Sequence, residues 1–301
     1  MNSNIGELDL IEDEVVVNNV RLTFFRSKQL VSQTPTVLFV HGVACHARNW
    51  DSIIRRLDTT LPIVSVELRG HGRSQKKGPY GWGQFGSDLC ALVQTLGLSS
   101  VVGVGHSMGG HLLLQAASVL AKKFKALLLF EPAVFAPATY ISSQQVKLFD
   151  SPSEHPFARR RAIWQSPEAW FEKIKNRTPF NVWTEEALHD HCQYGLEPTS
   201  DGQFQLRCPP IVEAEASLAC ADTSVHSLLS AIAIPVKIFR AKTAAGFRHP
   251  MDNIHSVTWP ALSGSLSQGM DIHLTDLSHF IPMQRPELVA SELTEILGET
   301  A

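Results

Sequence analysis

Residues 100–110 read Ser-Val-Val-Gly-Val-Gly-His-Ser-Met-Gly-Gly. Ser100 to Gly105 is a short, nearly continuous apolar run of the kind that forms a strand covered on both faces, while the apolar spacing from Met108 to Phe124 is helical. Between them Gly105-His106-Ser107-Met108-Gly109 fits Gly-x-Ser-x-Gly, a sharp strand-to-helix turn whose flanking positions leave no room for side chains. With 19 glycines in 301 residues, that pattern arises by chance in roughly one chain in ten, so the flanking strand and helix carry the argument. They place the Ser107 hydroxyl at a helix N-terminus, where the dipole favours developing negative charge.

The same strand signature recurs on either side, in Thr36 to Val40, Ile63 to Leu68, Ala126 to Phe130 and Val236 to Phe239. Amphipathic segments of helical length separate these runs: Trp50 to Leu57, Phe85 to Leu96 and, at the end, Pro286 to Leu297. The alternation predicts an α/β fold with a mostly parallel, doubly wound sheet. Glu14 to Val20 and Arg21 to Ser27 add an antiparallel pair turning at Asn18-Asn19. The alternation stops between Pro137 and Ile232, where only helix-like stretches such as Arg159 to Trp164 and Pro167 to Lys175 appear. A structureless loop that long is improbable inside a domain, so residues 137–232 are expected to form a mostly helical cap inserted into a core of residues 1–136 and 233–301.

Composition narrows the function. Hydrophobic residues make up 44% and charged residues 18%, an ordinary globular mixture. The net charge of -3, from 26 basic and 29 acidic side chains, supplies no basic field for nucleic acid. No apolar run reaches the 18 or so residues of a membrane span, and Met1 to Glu14 is too acidic for a secretory signal. Cys45, Cys90, Cys192, Cys208 and Cys220 are scattered without a Cys-x-x-Cys pair, which suits a reducing, cytoplasmic setting. Neither His189 with His191 nor His249 with His255 has the further spacing of a metal site, and no cofactor motif is present.

His41-Gly42 directly follows the strand Thr36 to Val40, where an acyl-transfer enzyme of this architecture places an oxyanion donor. The expected donors are the backbone amides of Val43 and Met108, fixed before the reaction starts and each worth about 3 kcal/mol. His41 then braces this loop or lines the pocket. His106, pointing off the turn, lines the pocket or packs behind the nucleophile. Aromatic side chains in the insertion, Trp164 and Trp183 among them, are lid core or substrate wall, and Arg159, Arg160 and Arg161 are a solvated face or a contact for a substrate carboxylate.

The order His41-Gly42, Arg69-Gly-His-Gly-Arg-Ser74, Gly105-His-Ser-Met-Gly-Gly110, Ser278-His-Phe280 resembles the α/β-hydrolase superfamily over nearly the whole chain. It is similar above all to capped serine hydrolases with esterase, lipase and lactonase members. That resemblance implies a Ser, acid, His triad in chain order, with Ser107 as nucleophile and His279 as base. Relatives that open epoxides or displace halide carry aspartate at the turn, so Ser107 points to acyl chemistry on esters, lactones, thioesters or amides. Glu67 stands where relatives usually have Asp, with a structural effect expected. The acid slot usual in relatives, after the strand that follows the cap, is empty: Arg240 to Ala245 carries no carboxylate. Glu131, ending the strand Ala126 to Phe130, is the preferred acid, as in some lactonase-like and lipase branches; Asp252 is the alternative and Asp276 a third. The expected activity is cofactor-independent hydrolysis of a small-molecule ester or lactone. A ligand sensor on the same fold with little turnover is the reading from another class.

Overall fold

The computed structural model describes residues 8–30, 34–140, 149–221, 223–245, 252 and 254–300. His249, named above with His255, lies outside these residues. Eight strands form the main sheet: β1 (Ile11–Val17), β2 (Val20–Arg26), β3 (Thr36–Val40), β4 (Ile63–Val66), β5 (Val101–His106), β6 (Phe124–Phe130), β10 (Val236–Arg240) and β11 (Gly269–His273). Their order is β1-β2-β4-β3-β5-β6-β10-β11, with β1, β2 and β4 joined antiparallel and the rest parallel. The β1–β2 turn uses Asn18 and Asn19, both in the left-handed region at φ 47° and 59°.

Both faces of the sheet are buried along its inner strands β3 to β6 and β10, which is why these read as unbroken apolar runs. Along β3, Val37 and Phe39 pack with Trp50, Leu128 and Leu293, while Leu38 and Val40 pack with Val64, Leu89 and Leu112 on the other face. Each such side chain contributes roughly 1.5–3 kcal/mol through burial. The helices are α1 (Asp51–Ile54), α2 (Trp82–Thr95), α3 (Met108–Val119) and, after the insertion, α7 (Ile281–Gln284) and α8 (Pro286–Thr300). Parallel strands put their carboxyl ends at one edge, where β3 leads into the His41 loop, β5 into Ser107 and β6 into Glu131.

Between β6 and β10 the chain adds α4 (Pro167–Ile174), α5 (Glu185–Tyr194) and α6 (Pro210–Leu218), together with a small antiparallel sheet of β7 (Ile163–Trp164), β9 (Phe204–Leu206) and β8 (Leu196–Pro198). Two expectations differ here. Arg159 to Trp164 is not a helix but the end of a 3-10 turn, Pro156–Arg159, followed by β7. The small sheet also departs from the expected helices, because strands of two or three residues carry no readable alternation. Packing further divides the insertion. Trp164, Trp170, Trp183, Leu188 and Leu206 form their own cluster with Cys45 and Met283, whereas Val212, Ala216, Val225, Leu229 and Ile232 join the cluster of Leu89 and Leu112.

Candidate active site

Ser107 sits at φ 53° and ψ -118°, in a region that non-glycine residues avoid. Backbone bonds impose this: Ser107 N donates to Phe130 O at 3.1 Å, and its carbonyl accepts from Gly110, His111 and Ala133 at 3.1, 3.3 and 3.0 Å. A Cβ on Gly105 would lie 2.7 Å from Gly110 N, and one on Gly109 would lie 2.0 Å from Val40 O, so the turn admits no side chain at either position. The amides of Val43 and Met108 make no hydrogen bond among the described residues. Met108 is the first residue of α3, so its N–H is one of the helix's unpaired donors.

Glu131 adopts φ 52° and its amide donates to Phe239 O at 2.8 Å, which ties it to the end of β10. Its carboxylate is fully buried and accepts four hydrogen bonds. Oε1 takes the Ala241 amide at 2.6 Å and the Ser256 hydroxyl at 2.7 Å; Oε2 takes the Val257 amide at 3.0 Å and His279 Nδ1 at 3.1 Å. Burial pushes this carboxyl up, but the bond and charge of His279, the Ser256 hydroxyl and the Ala241 amide outweigh it and hold it below its ordinary value. Glu131 is therefore ionised at neutral pH. With Nδ1 donating to Glu131, Nε2 is the ring nitrogen left outside this bond. His279 is fixed by its amide on Ile254 O at 2.8 Å and by its carbonyl, which accepts from His106 Nε2 at 2.9 Å. His106 precedes Ser107, so this last bond joins the His279 loop to the turn.

A profile of the alpha/beta hydrolase family matches residues 37–292. The chain belongs to this family. Among curated proteins, this alpha/beta hydrolase is 34% identical to Lipase LipV of Mycobacterium tuberculosis over 126 residues, 42% of this chain and 48% of that one. It is 31% identical to the 2-(acetamidomethylene)succinate hydrolase of Mesorhizobium japonicum over 85 residues, 28% of this chain and 31% of that protein. These matches span less than half of each relative. Among solved structures, E-2-(acetamidomethylene)succinate hydrolase superposes with a TM-score of 0.75 at 17% identity, covering 96% of this chain and 99% of the other. The enol-lactonase from Burkholderia xenovorans LB400 superposes with 0.67 at 17% identity, covering 95% and 100%. At such identities the likeness is one of fold.

The hydrolase fold brings Ser107, Glu131 and His279 to one sheet edge and treats the other expected residues differently. Asp252 serves its own turn: Oδ1 accepts the Ile254 and His255 amides at 2.9 and 3.1 Å, and Oδ2 accepts His255 Nδ1 at 2.6 Å. Burial opposes ionisation there, yet these bonds hold Asp252 down to about 2. Asp276 is exposed in the turn after β11. His41 and His106, two of the expected pocket residues, are buried instead. His41 Nε2 accepts the Leu68 amide at 3.1 Å and Nδ1 donates to Gly42 O at 2.7 Å, so the ring braces the loop. Burial, then the neighbouring His279, pushes His106 down to about 3 and keeps it neutral behind Ser107.

Trp164 packs in the cluster of Leu188 and Leu206, its ring 6.0 Å from that of Trp170. Trp183 comes closer: its ring is 5.1 Å from Phe280, itself 5.3 Å from the His279 ring. Arg160 is ion-paired with buried Glu213 at 2.5 Å rather than solvated. Glu67 accepts the Arg73 amide and its guanidinium, the latter at 3.1 Å, and a Cβ on Gly72 would strike its carboxyl at 2.1 Å, so its effect is structural as expected. Two further residues touch this group, Phe280 against the His279 ring and Ser256 on the Glu131 carboxylate. Phe280 could have been found as the aromatic beside His279; Ser256 sits in no motif, and nothing in the sequence marks it.

Proposed function

We propose that this chain is a cofactor-independent serine hydrolase that cleaves a small to medium carboxylic ester or lactone through an acyl-enzyme. The observation that carries this reading is the bond between ionised Glu131 and His279 Nδ1 on the sheet edge that holds Ser107 in its left-handed turn. In the first half-reaction Ser107 Oγ attacks the carbonyl carbon while His279 Nε2 takes its proton. The tetrahedral oxyanion accepts from the Val43 and Met108 amides, which cost no reorganisation when charge develops. Collapse expels the alcohol, protonated by His279, and leaves Ser107 acylated. Water, deprotonated by His279, repeats the sequence and frees the acid. Glu131 stays anionic, holds the tautomer and balances the imidazolium.

Residues 137–232 act as the cap in this reading, with Trp183 and Phe280 nearest the reacting centre. A cytoplasmic setting accords with the scattered cysteines. Amide hydrolysis uses the same steps, and the likeness to 2-(acetamidomethylene)succinate hydrolase places amides on the substrate panel. The test is reaction with a fluorophosphonate and turnover of p-nitrophenyl esters, lactones and amides. Ser107→Ala should abolish labelling and lower turnover by about a million-fold with the fold intact. Labelling of the alanine variant would overturn the mechanism; labelling of wild type without turnover of any substrate would favour a sensor.

A further inference from the structure

Helix α5 lies against both loops that the proposed mechanism needs. At its start, the amide of its cap residue Thr184 donates to Met283 O at 2.9 Å, in the helix that follows His279. At its other end His191 meets the loop that continues from Val43. That loop turns tightly, with Cys45 N on Gly42 O at 3.2 Å and Ala44 at φ 61°. It ends at His46, whose amide donates to Asn49 Oδ1 at 2.9 Å. With Oδ1 so engaged, Asn49 turns Nδ2 to His191 Nδ1 at 3.1 Å. His46 Nε2 donates to the His191 carbonyl at 3.1 Å, and the two rings stack with 5.6 Å between centroids.

All of these groups are buried, so neither bond competes with water. His191 can accept at Nδ1 only as the neutral ring, and burial first, then the Arg160 charge, pushes it down to about 3. The same ring touches Trp183 at 5.2 Å, and Trp183 leads through Phe280 to His279. His191 thus has one side on the loop carrying the Val43 amide and the other on the aromatic chain against the base. The contacts of α1 and of the turn before it with α5 reinforce the seam: Arg55, capping α1, bonds Glu186 at 2.7 Å and also Asp190, and Arg48 lies 3.9 Å over the Tyr194 ring.

We infer that His191 is a positioning residue: as the acceptor for Asn49 it fixes the Gly42–His46 loop, and through Trp183 and Phe280 it sets that loop's distance from His279. This rests on the serine-hydrolase reading above. The inference gives α5 a task beyond covering the site. Misplacement of catalytic groups by about 1 Å can cost roughly a hundred-fold, and a loosened oxyanion donor is felt in the transition state more than in substrate binding.

The test compares wild type, His191→Leu and His191→Asn by rate of fluorophosphonate labelling, by kcat and KM for a p-nitrophenyl ester, and by melting temperature. Leucine keeps apolar bulk but leaves Asn49 Nδ2 without an acceptor. Asparagine offers an oxygen near the place of Nδ1. His191→Leu should slow labelling and kcat by about 10- to 100-fold with KM within about twofold, and His191→Asn should recover most of the loss. Equal slowing by both variants, or wild-type labelling of the leucine variant, would overturn the inference. If His191→Leu does not fold, His191→Phe, which keeps a ring but offers Asn49 no acceptor, decides: slowed labelling supports the inference and wild-type labelling refutes it. Failure of wild type itself to label would overturn the serine-hydrolase reading and this inference with it.

Discussion

Two buried carboxylate assemblies, one at Glu131 and one at Asp51, are built on opposite terms. At the sheet edge Glu131 accepts four hydrogen bonds, from two amides, a hydroxyl and an imidazole, and is held ionised despite complete burial. At the seam between α1 and α5, Asp51 is as deeply buried. There Oδ2 accepts from Arg48 Nε at 2.6 Å, while Oδ1 has no partner among the described residues. Burial pushes Asp51 up to about 7, against the pull of Arg48, and pushes Asp190 up to about 6, against Arg55. Burial is common to both; the number of donors decides the charge. The ionised Glu131 sits where donors are fixed by the sheet, and the raised carboxyls of Asp51 and Asp190 sit at the seam between α1 and α5.

The largest effect should come from removing the well-donated charge. Glu131→Gln keeps the shape but leaves His279 Nδ1 facing an amide, so turnover should fall by roughly ten-thousand-fold with little change in melting temperature. Asp252→Asn, which touches a surface turn, should cost less than about tenfold. Steady-state kinetics on both variants checks the ranking, and its reversal would move the acid to Asp252 and dissolve the contrast.

The smaller effect concerns the seam. Asp51 has a folded value of about 7 against an ordinary 3.8, so the folded chain holds more protons than the unfolded one between about pH 4 and 7. Stability contributed by this group therefore falls as pH rises through that window. Asn cannot ionise, and loss of the Arg48 bond is a roughly constant offset. Between pH 5 and pH 8, Asp51→Asn should gain on wild type by roughly 5 °C in melting temperature. A difference independent of pH would show that Asp51 is already ionised at pH 5 and that the seam resembles the sheet edge.

The sequence was most informative where the backbone is most constrained. The strands around Ser107 are legible because a sheet buried on both faces demands unbroken apolar runs, and Gly105 and Gly109 are legible because the turn has no space for a Cβ. Glu131 could be chosen over Asp252 because it follows a buried strand directly. Its donors other than His279 could not, since Ala241, Ser256 and Val257 reach it from 110, 125 and 126 residues away. For His41 and His106 the sequence offered both a structural and a pocket role, and the tertiary hydrogen bonds of the buried rings accord with the structural one. The insertion was least legible. Its strands are two or three residues long, and α6 packs its buried face into the main core, so residues 208–232 cannot be separated from the hydrolase by composition alone.

The central claim is that Ser107 carries the acyl group, and carbamoylation tests it most directly. A p-nitrophenyl carbamate transfers a carbamoyl group that ordinary deacylation removes slowly, so the adduct can be mapped by peptide mass spectrometry while ester turnover is followed in the same sample. The account predicts one carbamoyl group per chain, on Ser107, with activity lost in proportion to its occupancy. A carbamoyl group on another residue with parallel loss of activity, or full ester turnover by chains carbamoylated at Ser107, would contradict it.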